Sequence, residues 1–185
     1  MTTPQKSANE LMNEIGEWAD KNFKVHMPDY GIVEELGEIV HCILKRAQGI
    51  RGFDKDEVYV PALKDAFADL MIYLLHLCFK YKVALSFDSY KMWMGEARMS
   101  DRLAMRQAMR YAGLLMEYSE ITSVSDDNAI FRVPAQCLCN VAIIWGNQLG
   151  IDVVECTRDE WARNVSKRNW EDNPEDADKK VLNEP

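Results

Sequence analysis

Apolar residues recur every three or four positions over most of this chain, a spacing that puts them on one face of an α-helix. Cap signals divide this pattern into segments: Ser7 and Glu10 have the spacing of a capping box, and the Gln48-Gly49 pair is typical of a helix end. The pattern predicts six helices, over residues 7–24, 28–48, 61–81, 100 onwards, 134–150 and 152–170, with Ser100 and Asp152 as the N-caps of the fourth and the sixth.

The residues that interrupt helices are scarce, with nine glycines and six prolines in 185 residues. We therefore predict an all-α fold, a helical bundle formed by one domain over residues 1–185. Between two of the predicted helices, the polar segment 122–132 is expected to form a loop. The polar end of the chain, residues 175–185, is expected to be frayed.

A short recurrence bears on how the domain is organised. The tripeptide Val-Pro-Ala at 60–62 recurs at 133–135, and in both places the proline is expected to open an apolar helix. Upstream of the second copy, Glu117 and Glu120 repeat the spacing of Glu35 and Glu38. These echoes are short, so they favour a degenerate internal repeat only weakly.

Charge and composition narrow the class of partner. The net charge of -8 argues against a duplex nucleic-acid binder, which needs a basic surface, but it leaves a nucleotide substrate open if metal ions supply the positive charge. The chain has no apolar leader and no run of about 20 apolar residues, so we predict a cytoplasmic protein without a membrane span. The five cysteines are expected to be reduced, because their spacing does not suit zinc.

Three glutamates crowd the predicted helix at 28–48. At 100° per residue, Glu34, Glu35 and Glu38 fall on the side opposite the apolar arc, and Lys45 falls on the same side as the glutamates. The apolar arc itself is expected to include Val33 and Leu44. Such a face has two interpretations, a solvated acidic surface or a metal site.

The next predicted helix favours the metal site. Asp69 precedes the segment LMIYLLHLCF, which is apolar around nearly its whole circumference and is therefore expected to be buried. Asp65 lies one turn earlier on the same face. A buried carboxylate must be paired or bind a metal, so the alternative is a salt bridge from Asp69 to a Lys or Arg elsewhere.

If the two helices pack together, five carboxylates can converge. Oxygen ligands alone favour Mg²⁺ or Mn²⁺, and Mg²⁺ commonly shares its coordination shell with substrate phosphates. A di-iron site is the competing interpretation, because Glu38 and His41 match the Glu-x-x-His spacing. That site needs a second such pair, and neither His26 nor His76 has a glutamate three residues earlier. Iron is therefore disfavoured.

Four segments together resemble a known family, the MazG-like all-α nucleoside triphosphate pyrophosphohydrolases of the phage-type branch. The resemblance covers residues 5–85 well and 150–174 moderately, whereas 86–149 is an insertion or a degenerate second repeat. The segments that carry it are EELGE at 34–38, KRAQGIRG at 45–52, LKDAFADLMIYLLHLC at 63–78 and NVSKRNW at 164–170.

The resemblance implies a MazG-like helical bundle with extra C-terminal helices. It also implies Mg²⁺-dependent hydrolysis of a nucleoside triphosphate to the monophosphate and pyrophosphate, and a homodimer. In the family motif EExxE followed by ExxD, the metal ligands match Glu35, Glu38 and Asp69. The family's remaining glutamate is replaced by Ala66, and Asp65 is the natural substitute ligand.

Further roles follow from position and charge. Glu34 stands beside the expected ligands and is the candidate to orient the attacking water. The basic residues are either phosphate ligands or members of rim salt bridges, and Trp170 either stacks on a base or belongs to the core. The predicted substrate-binding residues are Lys45, Arg46, Arg51, Lys167, Arg168 and Trp170.

Two other functions stay open at this point. A dUTPase-type nucleotide hydrolase would use the same acidic helices. A non-catalytic helical regulatory or scaffold protein with a decayed site would also fit, and Ala66 favours it. A decayed site is expected to lose several acids, whereas here one is shifted and the others remain.

Overall fold

A computed structural model describes residues 6–92, 99–121 and 129–168 of the chain. Throughout these ranges the protein is helical and has no strand, which confirms the predicted all-α class. Trp170, most of the predicted loop and the predicted frayed tail lie outside the described residues. The α-helices are α1 (Ala8–Asn22), α2 (Pro28–Gln48), α3 (Asp56–Lys80), α4 (Asp101–Ile121), α5 (Ala129–Gln148) and α6 (Val153–Arg163), with 3₁₀ helices at Ser89–Met92 and Val165–Lys167.

Several helix ends are those that the sequence predicts. The capping box of α1 forms, with the Ser7 N–H donating to Glu10 Oε2 at 2.7 Å and the Glu10 N–H donating to Ser7 Oγ at 3.3 Å. Gly49 ends α2 in the left-handed conformation, with φ 63°. Ser100 and Asp152 cap α4 and α6 through hydrogen bonds from backbone N–H groups three residues later.

The predicted starts of two helices are wrong. Pro61 is the sixth residue of α3 and Pro134 is the sixth residue of α5, so each helix begins one turn or more before its proline, and residues 129–132 are helical instead of forming a loop. Contacts outside the local sequence explain the extra turns. Asp56 in the first turn of α3 pairs with Arg46 of α2 at 2.7 Å.

In α5 the extra turn is held by an aromatic contact. Phe131 is buried and stacks on Tyr81 at the end of α3, with ring centroids 3.9 Å apart. Burial of a stacked aromatic ring outweighs the weak helix propensity of the local sequence. A sequence pattern that marks a helix start by its proline misses such a turn.

The helices form two hairpins, α2 with α3 and α4 with α5, and α1 and α6 pack on α3. The central helix α3 contacts α1, α2, α5 and α6. The core between the hairpins holds Phe67 of α3 edge-to-face with Trp145 of α5, at a centroid distance of 5.7 Å. The carboxylates of α2 and α3 therefore lie on a hairpin whose second helix packs against α1, α5 and α6 as well.

Two further findings bear on class. Among the described residues, α5 alone is long and apolar enough to cross a membrane, and 72% of its apolar window is buried inside the fold. All five cysteines are free, as the sequence predicts.

Candidate metal centre

A close helix contact sets the register between α2 and α3. Gly31 of α2 lies under the ring of Tyr73 of α3, where a Cβ atom would overlap the ring. The two helices run antiparallel, because a short connection joins them and they pack along their lengths. One turn further along each helix, Glu35 and Asp69 therefore come opposite each other.

Glu35 is the most enclosed acid of the site. Its residue is 7% exposed, and it lies among Ile32, Leu36 and Ile39 on the buried face of α2. The expected placement of Glu35 on the side opposite the apolar arc is therefore wrong, and the interpretation as a solvated surface does not hold for this residue. Its position on the helical wheel is close to Ile39, and packing against α3 covers that sector.

On the outer side of α2, two residues that the helical wheel places on the apolar arc are exposed to solvent. Val33 and Leu44 were expected on the apolar arc, but they are 44% and 48% exposed. Glu34 and Glu38 are exposed as the sequence predicts. The buried face of α2 is thus rotated towards its acidic side, and Glu35 lies inside the helix interface.

The pKa of Glu35 is affected by the charges of the other four predicted acids. Burial raises the pKa of Glu35 to about 8, with added effect from the negative charges of Asp69, Glu38, Glu34 and Asp65. Like charges that act on one another in this way lie on the same side of the molecule. The charges of the four other predicted acids thus act on Glu35, and a single metal site formed by all five carboxylates stays a prediction.

The electrostatics of Asp69 add residues from outside the first hairpin. Burial raises the pKa of Asp69 to about 7, and the charges of Asp65 and Glu160 act in the same direction, whereas Arg168 lowers it. Glu160 belongs to α6 and was missed by the sequence analysis. A signal for it exists, because Glu160 falls on the same helical face as the buried residues Thr157 and Trp161.

The alternative of a salt bridge to Asp69 is not met. Within the residues that the structure describes, no ion pair at or below 4.0 Å and no side-chain hydrogen bond involves Glu35 or Asp69. Two buried or half-buried carboxylates without a partner are costly in a folded protein. A cation that binds both would remove that cost.

The donor set fits a hard divalent cation. In the described part of the chain, no three side chains of His, Cys, Asp or Glu already stand in a ligand cluster. The acids that converge offer only carboxylate oxygens, which are the ligands that Mg²⁺ and Mn²⁺ prefer.

Helix α6 is fastened beside this cluster. The Trp161 indole N–H of α6 donates to Glu14 of α1 at 3.2 Å. Thr157, also in α6, is fully buried. Asn164 Nδ2 donates to Glu160 Oε2 at 2.8 Å and thereby orients that carboxylate. A cavity of about 490 Å³ separates part of α6 from α3, and both Glu160 and Asp65 line it.

Among the predicted substrate-binding residues, Arg168 is one whose positive charge acts on Asp69. Its charge lowers the pKa of Asp69 and also acts on Tyr73. Its backbone carbonyl accepts a hydrogen bond from the Trp18 indole at 3.1 Å, which ties the segment after α6 to α1. Trp18 itself packs edge-to-face on Trp161 and so belongs to the helix packing.

Arg46 is engaged elsewhere. Its guanidinium donates to the carbonyls of Phe53 and Asp54 at 3.0 and 2.8 Å, pairs with Asp56 and lies 4.9 Å from the Tyr59 ring centroid. These contacts fasten the connection between α2 and α3. They match the rim salt-bridge interpretation, and we leave Arg46 out of the phosphate-binding set proposed below.

The other predicted substrate ligands lie on the surface. Lys45 is partly exposed, and Lys167 and Arg51 are exposed. Arg51 has a φ of 57° in the turn between α2 and α3. Trp170 lies outside the described residues. A phosphate-binding role for these side chains stays a prediction.

No family model, curated protein or solved structure matches this chain. The resemblance to the MazG-like enzymes therefore rests on the motifs in α2, α3 and the segment after α6.

Proposed function

We propose that this protein is a Mg²⁺-dependent nucleoside triphosphate pyrophosphohydrolase that yields a nucleoside monophosphate and pyrophosphate. The observation that carries the proposal is the buried carboxylate of Glu35 facing Asp69, with no cationic partner for either among the described residues. Two such acids without partners do not stabilise a helix interface, and a bound cation would offset the cost of their burial in the ionised form. The motif resemblance supplies the reaction.

Three carboxylates would hold the ion, namely Glu35 and Glu38 of α2 and Asp69 of α3. Bound Mg²⁺ supplies charge stabilisation to the phosphates and a lowered pKa to the attacking water. Asp65 is exposed one turn before Asp69, and its shorter side chain suits a contact through a water molecule. Glu34 is exposed beside Glu35 and orients the attacking water for in-line approach.

The basic groups bind the phosphates at the rim of the site. The charge of Arg168 lowers the pKa of Asp69, so Arg168 is the basic group placed beside the acids. Its guanidinium suits bidentate phosphate recognition. Lys45 stands two turns after Glu38 on the acidic side of α2, and Lys167 precedes Arg168. Without a divalent cation the carboxylates repel a triphosphate, so the metal is required for substrate binding as well as for chemistry.

The test is a panel of nucleoside triphosphates incubated with the protein and Mg²⁺, with the products resolved into pyrophosphate and inorganic phosphate. The proposal expects equimolar monophosphate and pyrophosphate, and no turnover in excess chelator. Release of inorganic phosphate would contradict the bond assignment. The same panel includes dUTP, so exclusive hydrolysis of that nucleotide identifies the dUTPase-type alternative.

The second candidate is a non-catalytic helical protein with a decayed site. Ala66 favours it, because the residue at the position of the family's glutamate is 1% exposed and belongs to the apolar core. Metal binding without turnover of any nucleotide in the panel identifies this alternative.

The expected homodimer is also a proposal. Tyr30, Val33 and Leu44 give the outer side of α2 an exposed apolar character that a second subunit could cover. Sedimentation equilibrium of the full chain measures it, and a mass near 21.3 kDa at all concentrations contradicts it.

A further inference from the structure

The connection between α1 and α2 is tied to α3 through a pair of histidines. His26 lies in the connection and His76 lies one turn before the end of α3, and His26 Nδ1 is 3.0 Å from His76 Nε2. The other ring nitrogen of His26, Nε2, is 3.0 Å from the carbonyl oxygen of Phe23. Lys80 Nζ donates to the backbone carbonyl of His26 at 3.0 Å. Hydrogen bonds from two side chains of α3 therefore hold the connection in place.

The partners of the two rings determine where their protons lie. A carbonyl oxygen only accepts, so His26 Nε2 carries a proton, and in the neutral ring Nδ1 is then an acceptor. The proton between the rings therefore belongs to His76 Nε2, which donates to His26 Nδ1. A third proton fits on His76 Nδ1 and leaves this bond intact. A fourth would put protons on both facing nitrogens, and the bond between the rings would be lost.

The surroundings of the pair oppose a charge on the inner ring. His76 is 6% exposed. Burial lowers its pKa to about 4, and the positive charges of His26 and Lys80 act in the same direction. Asp20 of α1 acts in the opposite direction, and its Oδ1 lies 3.8 Å from His26 Nε2. The charged residues that line the cavity beside the pair are Asp20, Lys80 and Lys82, so cations outnumber acids there.

The pair stands where the packing of α2 on α3 begins. Pro28, the first residue of α2, comes two positions after His26. Gly31 of α2 lies under the ring of Tyr73, which is one turn before His76 in α3. A cavity of about 760 Å³ lies beside the pair, between α1 and the end of α3, and both imidazoles line it. The bond between the two rings therefore closes one wall of this cavity and fastens the start of α2.

We propose that His26 and His76 form a pH-sensitive latch, which holds the connection between α1 and α2 on α3 and releases it when both rings become charged. The helices stay packed on release, because α1, α2 and α3 share the buried apolar core. The wall of the 760 Å³ cavity that the connection forms then opens. The latch is independent of the metal centre and of the proposed hydrolysis.

The first measurement is NMR of the metal-free full chain with ¹⁵N-labelled histidine. The chain has three histidines, and His41, which is exposed in α2, is the reference. At pH 7 we expect His26 and His76 both to carry their proton on Nε2, with a scalar coupling between the two facing nitrogens. A pair without this coupling at pH 7 would overturn the latch.

The second measurement is ¹⁵N relaxation of the backbone amides at positions 24–26, at pH 6.5 and at pH 4. His76→Gln keeps an N–H donor near the place of Nε2 and cannot be charged, so the connection should stay held at both pH values. His26→Ala removes the bond from the solvent side and should release the connection at both. The matched control is His41→Gln, which should behave as wild type.

We expect the order parameters of these amides in wild type to fall from about 0.85 at pH 6.5 to below about 0.6 at pH 4, the range from rigid to flexible backbone. Order parameters that fall equally in wild type and in His76→Gln would overturn the latch, and so would a rigid connection in His26→Ala. Global unfolding of wild type and of His76→Gln at the same acidic pH would overturn it as well.

Thermal stability gives an independent check at low protein concentration. The folded-state pKa of His76 lies below its ordinary value, so the stability that the neutral ring provides is lost as pH falls from 6.5 towards 4. The fall in Tm between pH 6.5 and 4.5, followed by circular dichroism, should be larger in wild type than in His76→Gln by about 4–8 °C. Equal falls in the two proteins would overturn the proposal.

Discussion

The two helical hairpins are built on the same plan and differ in chemistry. In α3 and in α5 alike, the proline is the sixth residue of the helix. Counted from the proline, Asp65 and Asp69 of α3 correspond to Leu138 and Ala142 of α5, both of which are buried. The second hairpin therefore makes the same kind of helix pair with apolar residues at the positions where the first hairpin carries acids.

Their buried polar groups differ as well. Asn140 of α5 is 1% exposed, and its side-chain oxygen accepts hydrogen bonds from Ser89 Oγ at 2.6 Å and from Gln136 Nε2 at 3.1 Å. Glu35 of α2 is buried without such a partner in the described structure. Polar groups that serve the fold are satisfied within it. The acids of the first hairpin are thus not required by the helix pair and are better explained by a ligand.

The largest effect is expected from Asp69→Asn. The substitution keeps the size of the side chain and removes the charge that the metal needs, so Mg²⁺-dependent hydrolysis should fall by about a hundredfold or more. The metal-free protein should be at least as stable as wild type, because a half-buried charge is lost. Steady-state hydrolysis and the helical circular dichroism signal measure the two effects. Near-wild-type turnover of the variant would contradict the metal assignment.

The converse substitution introduces an acid into the second hairpin. Leu138→Asp places a carboxylate in α5 at the position that corresponds to Asp65, where the surroundings are apolar and fully buried. We expect the free energy of unfolding to fall by roughly 3–5 kcal/mol, the cost of an uncompensated buried charge. Urea unfolding measures it, with Leu138→Asn as the control for lost packing.

Added Mg²⁺ should not restore the stability of Leu138→Asp, since α5 offers no converging carboxylates among its described residues. Restoration by Mg²⁺ would mean that the second hairpin also binds metal, and the contrast between the hairpins would be lost.

The sequence predicts the helical class and four of the helix caps, because these depend on local periodicity and on residue type. The true starts of α3 and α5 depend on contacts to distant residues, the ion pair of Asp56 with Arg46 and the stacking of Phe131 on Tyr81. Local signals such as a proline do not report contacts of this kind.

The burial of Glu35 and the approach of Glu160 were missed for a related reason. The helical wheel gives the angle of Glu35, but packing against α3 decides which angles are covered. The charge of Glu160 acts on the pKa of Asp69 because α6 packs on α3, about 90 residues away in sequence, and a motif confined to two helices does not include it.

The raised pKa values of the acids in the first hairpin are expected to make the stability of the protein depend on pH. Their folded-state pKa values, about 8 for Glu35 and about 7 for Asp69, lie above the ordinary values, so the folded protein binds more protons and loses stability as pH rises towards 8. His76 acts oppositely, because burial lowers its pKa to about 4, and this stability is lost as pH falls from 6.5 to 4. Between pH 6.5 and about 8 only the acids contribute.

In that window the metal-free protein should lose about 2 kcal/mol of stability, since one pKa unit corresponds to about 1.4 kcal/mol. For a chain of this size the Tm should fall by roughly 4–8 °C, measured by calorimetry. Glu35→Gln should flatten the fall, and saturating Mg²⁺ should reverse it, because the metal binds the deprotonated acids. A wild-type curve that is already flat from pH 6.5 to 8 would show that Glu35 and Asp69 are ionised without cost.

The smallest effect is expected from Asp65→Ala. Asp65 is exposed, and it stands one turn before Asp69 on the same face of α3, so its charge attracts the metal through solvent or through a bound water. Exposed charge interactions contribute about 0.2–1 kcal/mol, which predicts a weakening of Mg²⁺ affinity of about two- to fivefold. The rate at saturating Mg²⁺ should be unchanged.

A Mg²⁺ titration of activity measures both the affinity and the saturated rate, with Glu57→Ala in the exposed first turn of α3 as the control for a lost charge. If Asp65→Ala instead lowers the saturated rate as far as Asp69→Asn does, Asp65 is a direct ligand of the metal.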